Sequence, residues 1–236
     1  MEAVVHRAAD RGHANHGWLD AHHSFSFANW YDPTRMHFGM LRVLNDDKVA
    51  SGEGFGMHPH NDMEIITIIL SGALEHKDNM GNGSVIRPGD VQVMSAGTGV
   101  LHSEFNPSED EATTLFQLWI FPKEKGIKPR YDQKTFSIDG ASNNFRVVAS
   151  GFNKADELYI HQDAAISLGK IEKGKVIDYA ISNPGNGAYI MVVQGEVEID
   201  GKKLGKRDAI GISSTHEFSI SALETSEILV VDVPMN

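Results

Sequence analysis

The sequence predicts an all-β protein built from short antiparallel strands. Seven segments are short, rich in β-branched residues and bounded by turn residues, a pattern typical of strands. They are Glu64–Leu70, Val91–Met94, Thr114–Phe121, Ala188–Val193, Glu196–Ile199, Phe218–Ile220 and Glu227–Val233. Turn signals rich in Gly, Asn and Pro recur between them, and no long segment has the helical period. Many short strands joined by such turns favour an antiparallel barrel or sandwich.

The two halves of the chain repeat one hairpin pattern. In each half an apolar strand leads into a Gly-initiated strand, a turn and another strand. The corresponding segments are Gly72–Glu75 with Gly195–Glu198, and Gly89–Met94 with Arg207–Ile212. The repeat predicts two related β-domains, 1–132 and 133–236, joined by a short linker in the charged, Pro- and Gly-containing segment Lys123–Lys134.

Composition and charge exclude several classes of protein. With 236 residues, 41% of them hydrophobic, the chain is long enough for one large or two small domains and is not a disordered one. The absence of cysteine excludes Cys-ligated zinc and iron–sulfur sites. The formal net charge is −11, which argues against direct binding to nucleic-acid phosphates.

The N-terminal segment and the lengths of the apolar runs predict the cellular location of the protein. The N-terminus lacks the basic-then-apolar pattern of a signal peptide. The longest apolar runs, such as Ile65–Leu70, are far below the roughly 20 residues that span a bilayer. We therefore expect a cytoplasmic protein that does not enter the membrane, as a monomer or weak dimer.

A candidate metal site lies in the first half, which holds ten of the twelve histidines. His58 and His60 are separated by one residue, so on a strand both side chains point to the same face. His102 and Glu104 repeat this spacing. Two such pairs on facing strands would bring three imidazoles and one carboxylate together, a set that suits iron(II), nickel, copper, manganese or zinc. The alternative is that these are ordinary surface or core histidines.

Other histidines have two interpretations each. His13, His16, His22 and His23 lie in a polar opening segment, where packing and local hydrogen bonds are favoured over a second metal site. His76 either holds a metal ligand in position without binding the metal itself, or is a plain polar strand residue.

On these residues the chain resembles the pirin family of the cupin superfamily. The first cupin motif is matched by Gly52-x5-His58-x-His60-x3-Glu64-x7-Gly72, and the second lies within Gly89–Asn106. The most specific string is Met94-x-Ala96-Gly97-x-Gly99-x-x-His102-x-Glu104. Other matching stretches are Phe25–Ala28, Tyr31–Pro33, His58–His60, Leu74–Asp78 and Pro88–Asp90. The resemblance is strong over residues 7–132 and weaker, though continuous, beyond them.

The resemblance implies a bicupin, in which two antiparallel β-sandwich or jelly-roll barrels face each other. Pirins hold one metal, usually iron, in the N-terminal barrel, and their ligands fall on His58, His60, His102 and Glu104 of this chain. Iron(II) is the expected ion, and nickel, copper, manganese, cobalt or zinc are alternatives. Glu64 stands where many other cupins have their carboxylate ligand. The resemblance to pirins gives that role to Glu104, so we expect Glu64 beside the site rather than on the metal.

The chain departs from the general cupin pattern at several positions. Ser95 stands where cupins often have proline, and the spacing from Gly97 to His102 is longer. In the second half, the positions equivalent to the four ligands carry no suitable donor set. They are Ile181, Asn183, Ile220 and Ala222. We therefore expect the C-terminal domain to lack metal ligands.

The resemblance implies a quercetin 2,3-dioxygenase-like enzyme, because several pirins open the ring of this flavonol with dioxygen and release carbon monoxide. In such an enzyme Glu104 would accept the proton of the flavonol 3-hydroxyl. The alternative is a redox-sensing regulator that binds a protein partner such as a transcription factor. A metal-free sugar or storage cupin fits poorly with four intact ligand positions.

Overall fold

The computed structural model consists almost entirely of β-strands. It describes residues 1–136, 142–152 and 154–236. The first half contains β1 Glu2–His6, β2 Gly12–Asn15, β3 Leu19–His23, β4 Leu41–Val49, β5 Gly54–His60, β6 Glu64–Ser71, β7 Leu74–Asp78, β8 Gly83–Ile86, β9 Asp90–Ser95, β10 Val100–Phe105, β11 Thr113–Ile120 and β12 Arg130–Thr135. The second half contains β13 Asn144–Ser150, β14 Leu158–Tyr159, β15 Ala165–Ile171, β16 Val176–Ala180, β17 Asn186–Gln194, β18 Val197–Ile199, β19 Lys202–Leu204, β20 Ala209–Ser213, β21 Glu217–Ala222 and β22 Ser226–Pro234.

Helical structure in the described residues is limited to a 3-10 turn at Ala8–Asp10. No helix in this part of the chain is therefore long and apolar enough to cross a membrane. The seven strands predicted from the sequence are all present, with ends that differ by at most two residues.

The strands form two β-sandwiches, each made of one seven-stranded and one four-stranded sheet. In the first sandwich the strand orders are β12-β9-β6-β11-β4-β3-β2 and β5-β10-β7-β8. In the second they are β1-β20-β17-β22-β15-β13-β14 and β16-β21-β18-β19. All neighbouring strands are antiparallel except β13 and β14. The predicted all-β bicupin is thus confirmed. The strand orders of the two sandwiches match except at the edges of the large sheets, where β12 corresponds to β1 and the pair β3-β2 corresponds to β13-β14.

Each sandwich has its own core, and a third core joins the two. Leu74 and Ile86 of the small sheet pack on Leu115 of the large sheet in the first sandwich. Buried residues of β17, β20 and β22 pack on β18 and β21 in the second. The largest apolar cluster, which includes Phe116 and Tyr189, lies between the two large sheets. The molecule therefore has four layers, with the small sheets on the outside.

One edge strand of the first large sheet is β12, which follows the last long strand of that sandwich, and one edge strand of the second is β1, from the start of the chain. β12 pairs with β9 of the first sandwich and includes residue 132. β1, the first strand of the chain, pairs with β20 of the second sandwich. Nδ1 of His6 in this strand lies 3.0 Å from the hydroxyl of the buried Tyr189. The two sandwiches are thereby interlocked, while the division of the chain at residue 132 stays a prediction.

Two equivalent glycines show the repeat in atomic detail. Gly72 follows β6 with φ +76°, and Gly195 follows β17 with φ +89°. A Cβ atom on Gly72 would lie 2.7 Å from Oγ1 of Thr113, and one on Gly195 would lie 2.4 Å from Oγ of Ser226. Both hairpins therefore need a left-handed residue without a side chain, because the next long strand begins directly beside it.

We predict that Gly72→Ala and Gly195→Ala each destabilise the protein more than Gly201→Ala does. Gly201 also has a positive φ, of +68°, but has open space where its Cβ would lie. Gly201→Ala should lower the free energy of unfolding by about 1–2 kcal/mol from backbone strain alone. The two hairpin variants should lose about 1–3 kcal/mol more from overpacking. Urea denaturation measures the differences, and equal losses in all three variants would contradict the close approach.

Candidate metal centre

The candidate centre is built on two neighbouring strands of the small sheet in the first sandwich. β10 pairs with β5 so that His102 lies opposite His58 and Val100 lies opposite His60. In β10 the side chains of His102 and Glu104 are buried, while those of Leu101 and Phe105 are exposed. Since directly opposed residues point to the same face, all three imidazoles project into the barrel.

The three imidazoles are close enough to share one ion. The ring centroids of His58 and His102 are 4.3 Å apart, and each lies 4.9 Å from the ring of His60. One donor nitrogen from each ring lies within 4.8 Å of the other two. Nδ1 of His58 is 2.8 Å from the carbonyl oxygen of Gly56, which leaves Nε2 as the donor to a metal.

The protonation of these rings favours metal binding. Burial, reinforced by the neighbouring imidazoles, lowers the pKa of His102 to about 2. Burial and the nearby His58 lower the pKa of His60 to about 4. Both imidazoles are therefore neutral at neutral pH, and only a neutral ring can donate its lone pair to a metal. Nε2 of His102 is buried and has no hydrogen-bond partner, as expected for an atom that awaits a ligand.

Glu104 does not share a close group of donor atoms with all three imidazoles. Its donor oxygen forms a close group with nitrogens of His102 and His76, not with those of His58 and His60. A register shift between His102 and Glu104 places Glu104 opposite Phe55. The side chain is fully buried, and burial raises its pKa. Oε2 accepts a hydrogen bond of 2.9 Å from Nε2 of Gln117, whereas Oε1 has no partner.

His76 and Asp78 orient His102 from the neighbouring strand β7. Nδ1 of His76 lies 3.4 Å from Nδ1 of His102, and Nε2 of His76 lies 3.1 Å from Oδ2 of Asp78. Burial alone would raise the pKa of Asp78, but hydrogen bonds from Asn82, His76 and the backbone hold it below its usual value. The ionised carboxylate thus fixes Nε2–H on His76, whose Nδ1 accepts from Nδ1–H of His102. This leaves Nε2 of His102 free for a metal. These contacts favour the interpretation of His76 as a residue that orients a metal ligand.

Gln117 and Trp119 were not identified from the sequence. Nε1 of Trp119 donates to Oε1 of Gln117 at 3.2 Å, so the amide group of Gln117 is held with its Nε2 toward Glu104. The indole ring also contacts the ring of His60, with centroids 4.9 Å apart. The sequence signal for Gln117 is its polar side chain between the apolar residues Phe116 and Leu118.

Glu64 points away from this centre. Its neighbour Ile65 packs in one cluster with Val100 inside the first barrel. Because successive side chains of a strand alternate, Glu64 faces the second sandwich instead. There Oε2 accepts hydrogen bonds from Oγ of Ser95 at 2.8 Å and from the backbone N–H of His161 at 3.1 Å. Burial raises the pKa of Glu64 to about 7. The expectation that Glu64 lies beside the metal site was wrong.

The equivalent region of the second sandwich is filled by apolar side chains. Ile220 and Ala222 are buried in its core, and the rings of Tyr179 and Phe218 stack at 5.4 Å. His216 is exposed. In residues 142–152 and 154–236 no three His, Cys, Asp or Glu side chains lie close enough to share an ion.

The centre is separate from the cavity between the two large sheets. That cavity has a volume of about 450 Å³ and is lined by apolar residues such as Ile68, Phe116 and Leu168, and by none of the four candidate ligands. His58 and His60, in contrast, are partly exposed, so the centre opens at the outer surface of the first sandwich.

We predict that replacing His58, His60 or His102 by alanine sharply lowers the metal content of the purified protein. Each change removes one imidazole, and no other imidazole in the group replaces it. Elemental analysis measures metal per chain, and circular dichroism checks the fold. His216→Ala is the matched control, because it removes an exposed histidine from the second sandwich and should leave metal content unchanged. Full metal content in all three variants would place the metal elsewhere.

Comparisons with known proteins agree with the fold. The family model Pirin matches residues 4–120, and the model described as the quercetinase C-terminal cupin domain matches residues 147–233. The chain is 45% identical to quercetin 2,3-dioxygenase of Escherichia coli K12 over 230 residues, covering 98% of each chain. It is 46% identical to a pirin-like protein of Caulobacter vibrioides over 222 residues, covering 94% of this chain and 95% of the relative.

Two solved structures from Escherichia coli have the same fold as this chain. The crystal structure of YhhW from Escherichia coli matches with a TM-score of 0.94 and 44% identity, covering 99% of this chain and 98% of that one. A second crystal structure of this bacterial pirin, in complex with nickel(II), matches with a TM-score of 0.93 and 43% identity over 99% of both chains. Since both halves of the chain match along nearly their full length, this protein belongs to the pirin family.

Proposed function

We propose that this protein is a metal-dependent dioxygenase that opens a ring of a flavonol or a similar phenol, in the manner of a quercetin 2,3-dioxygenase, and that it acts in the cytoplasm. The observation that carries the proposal is the cluster of three imidazoles beside a buried carboxylate. The name of the 45% identical relative from Escherichia coli K12, quercetin 2,3-dioxygenase, supports the same reaction class.

The residues present fit a divalent transition metal. Nε2 of His102 is a buried donor without a partner, and the rings of His58 and His60 face it. We propose that these three histidines hold the ion and that Glu104 completes the set through its free Oε1. Three nitrogens and one oxygen suit a borderline ion. We infer iron(II), with nickel(II), copper(II), manganese(II), cobalt(II) and zinc(II) as the alternatives that metal analysis distinguishes.

When bound, the ion supplies Lewis acidity and vacant coordination positions. The protein supplies the rest of the chemistry. Glu104 accepts the proton of the substrate hydroxyl, because burial raises the pKa of this carboxylate and a carboxylate oxygen has a second lone pair besides the one that would face the ion. Gln117 holds the other oxygen and thereby fixes the direction in which Oε1 points. Trp119 and His60 form one wall that can pack against a planar aromatic ring.

The proposal is tested by measuring dioxygen uptake with quercetin. Protein purified without added metal is stripped by a chelator and then reloaded with each candidate ion in turn. The expected result is dioxygen uptake and carbon monoxide release that depend on the ion and saturate at one ion per chain in the β5–β10 centre. Absence of metal-dependent uptake on quercetin and on other phenols would exclude the dioxygenase.

We predict that Glu104→Gln lowers turnover more than it lowers metal content. Glutamine retains an oxygen that can coordinate weakly, but it cannot accept a proton at neutral pH. General-base assistance is typically worth about 10²–10⁴-fold in rate, so the loss of activity per bound metal should fall in this range. Metal content will also decline somewhat, because the negative charge is lost.

Glu64→Gln is the matched control for this variant. It changes another buried glutamate of the same sandwich, but one that faces Ser95 and His161 rather than the centre. Activity per bound metal should be unchanged. The assignment of the base would be reversed if Glu64→Gln abolished activity while Glu104→Gln retained it.

A redox-sensing regulator is the second candidate function, and one observation favours it. On the outer face of the strands that carry the centre, Met57, Leu101 and Phe105 have 60%, 43% and 37% of their surface exposed. Exposed apolar side chains of this kind are typical of a surface that binds another protein. A partner captured only in one oxidation state of the metal, without turnover of any phenol, would favour this function over the dioxygenase.

A further inference from the structure

A second group of metal-binding side chains lies on the hairpin at the edge of the first large sheet. The hairpin consists of β2 and β3, in which His13 lies opposite His22. Asp20 precedes His22 by two residues in β3, so its side chain lies on the same face. The three side chains therefore project together from the end of the sheet, far along the chain from the ligands of the first centre.

The distances within this group are those of side chains that can share one ion. The imidazole rings of His13 and His22 stack with centroids 4.5 Å apart. Nε2 of His13 lies 2.6 Å from Oδ1 of Asp20. One donor atom from each of the three side chains lies within 4.8 Å of the other two.

The group is accessible to an ion from solution. The side chain of His13 is 52% exposed, and that of Asp20 is 42% exposed. His22 lies opposite Asp46 of β4, but the carboxylate of Asp46 is held by Arg11 at 3.1 Å and by Arg207 at 2.8 Å. The carboxylate of Asp46 is thus engaged in ion pairs, so the donors of the proposed site are the three side chains of the hairpin.

The other two histidines of the opening segment do not belong to the group. His23 points to the opposite face, where Nδ1 lies 2.9 Å from Oδ1 of the buried Asn45. His16 is exposed in the turn of the hairpin and lies outside the group of donors. The structure therefore separates four neighbouring histidines into two that converge and two that do not.

We propose that His13, Asp20 and His22 form an accessory surface site for a borderline divalent cation such as Zn²⁺ or Cu²⁺. Two imidazoles and one carboxylate suit these ions, and water would complete the coordination. The ion would join the two strands of a hairpin whose outer strand β2 has no neighbour on its far side. An ion that binds only the folded hairpin stabilises it. The site is independent of the proposed dioxygenase activity.

Equilibrium dialysis against Zn²⁺, followed by elemental analysis, tests the proposal. The wild-type protein should bind two ions per chain, one at each centre. His13→Ala, Asp20→Asn and His22→Ala should each lose the hairpin ion and bind one. His16→Ala is the matched control, because it removes an exposed histidine of the same hairpin, and it should still bind two.

His102→Ala separates the two centres. This variant should retain the hairpin ion, and addition of Zn²⁺ should then raise its melting temperature. The double variant His102→Ala, His13→Ala should show no such rise. Binding of only one ion by the wild-type protein would overturn the proposal. So would retention of two ions by both His13→Ala and His22→Ala, because the second ion would then lie elsewhere.

Discussion

The register between β5 and β10 is the constraint on which the candidate centre depends. A shift of one residue in this pairing would turn every side chain of one strand to the opposite face. The observed register places His102 opposite His58 and Val100 opposite His60, so that the imidazoles of both strands enter the barrel together. The shift that follows, between His102 and Glu104, places Glu104 opposite Phe55.

Two other strands of the first sandwich, β7 and β11, orient the side chains that this register brings together. β7 brings His76 and Asp78 against His102 and thereby selects its tautomer. β11 belongs to the opposite sheet and brings Gln117 against Glu104, with Trp119 behind it. The sandwich must close for these contacts to form, so the ligands are oriented by the fold before any metal arrives. The small sheet of the second sandwich repeats the strand order of the first, and Ile220 and Ala222 in its core occupy the positions equivalent to His102 and Glu104.

Much of this arrangement follows from local sequence patterns. Short β-branched segments and Gly-containing turns predict the strands, and the spacing of His58 with His60 predicts that both face one side. Glu64 could not be placed in this way, although it follows His60 by only four residues. Asp62 adopts a φ of +45° between β5 and β6, and the chain passes there from the small sheet to the large one. The alternation of faces therefore does not continue from His60 to Glu64. Likewise, the pairing of β1 with β20 joins segments about 200 residues apart, and no local pattern indicates it.

The central claim is that a single transition-metal ion is held by His58, His60 and His102. An anomalous difference map from crystals of the protein loaded with one equivalent of iron(II) or nickel(II) tests it most directly. We expect one dominant peak about 2.0–2.2 Å from a nitrogen of each of the three imidazoles. A dominant peak bound by His76 and Glu104 without His58 and His60, or a peak outside the first sandwich, would contradict it.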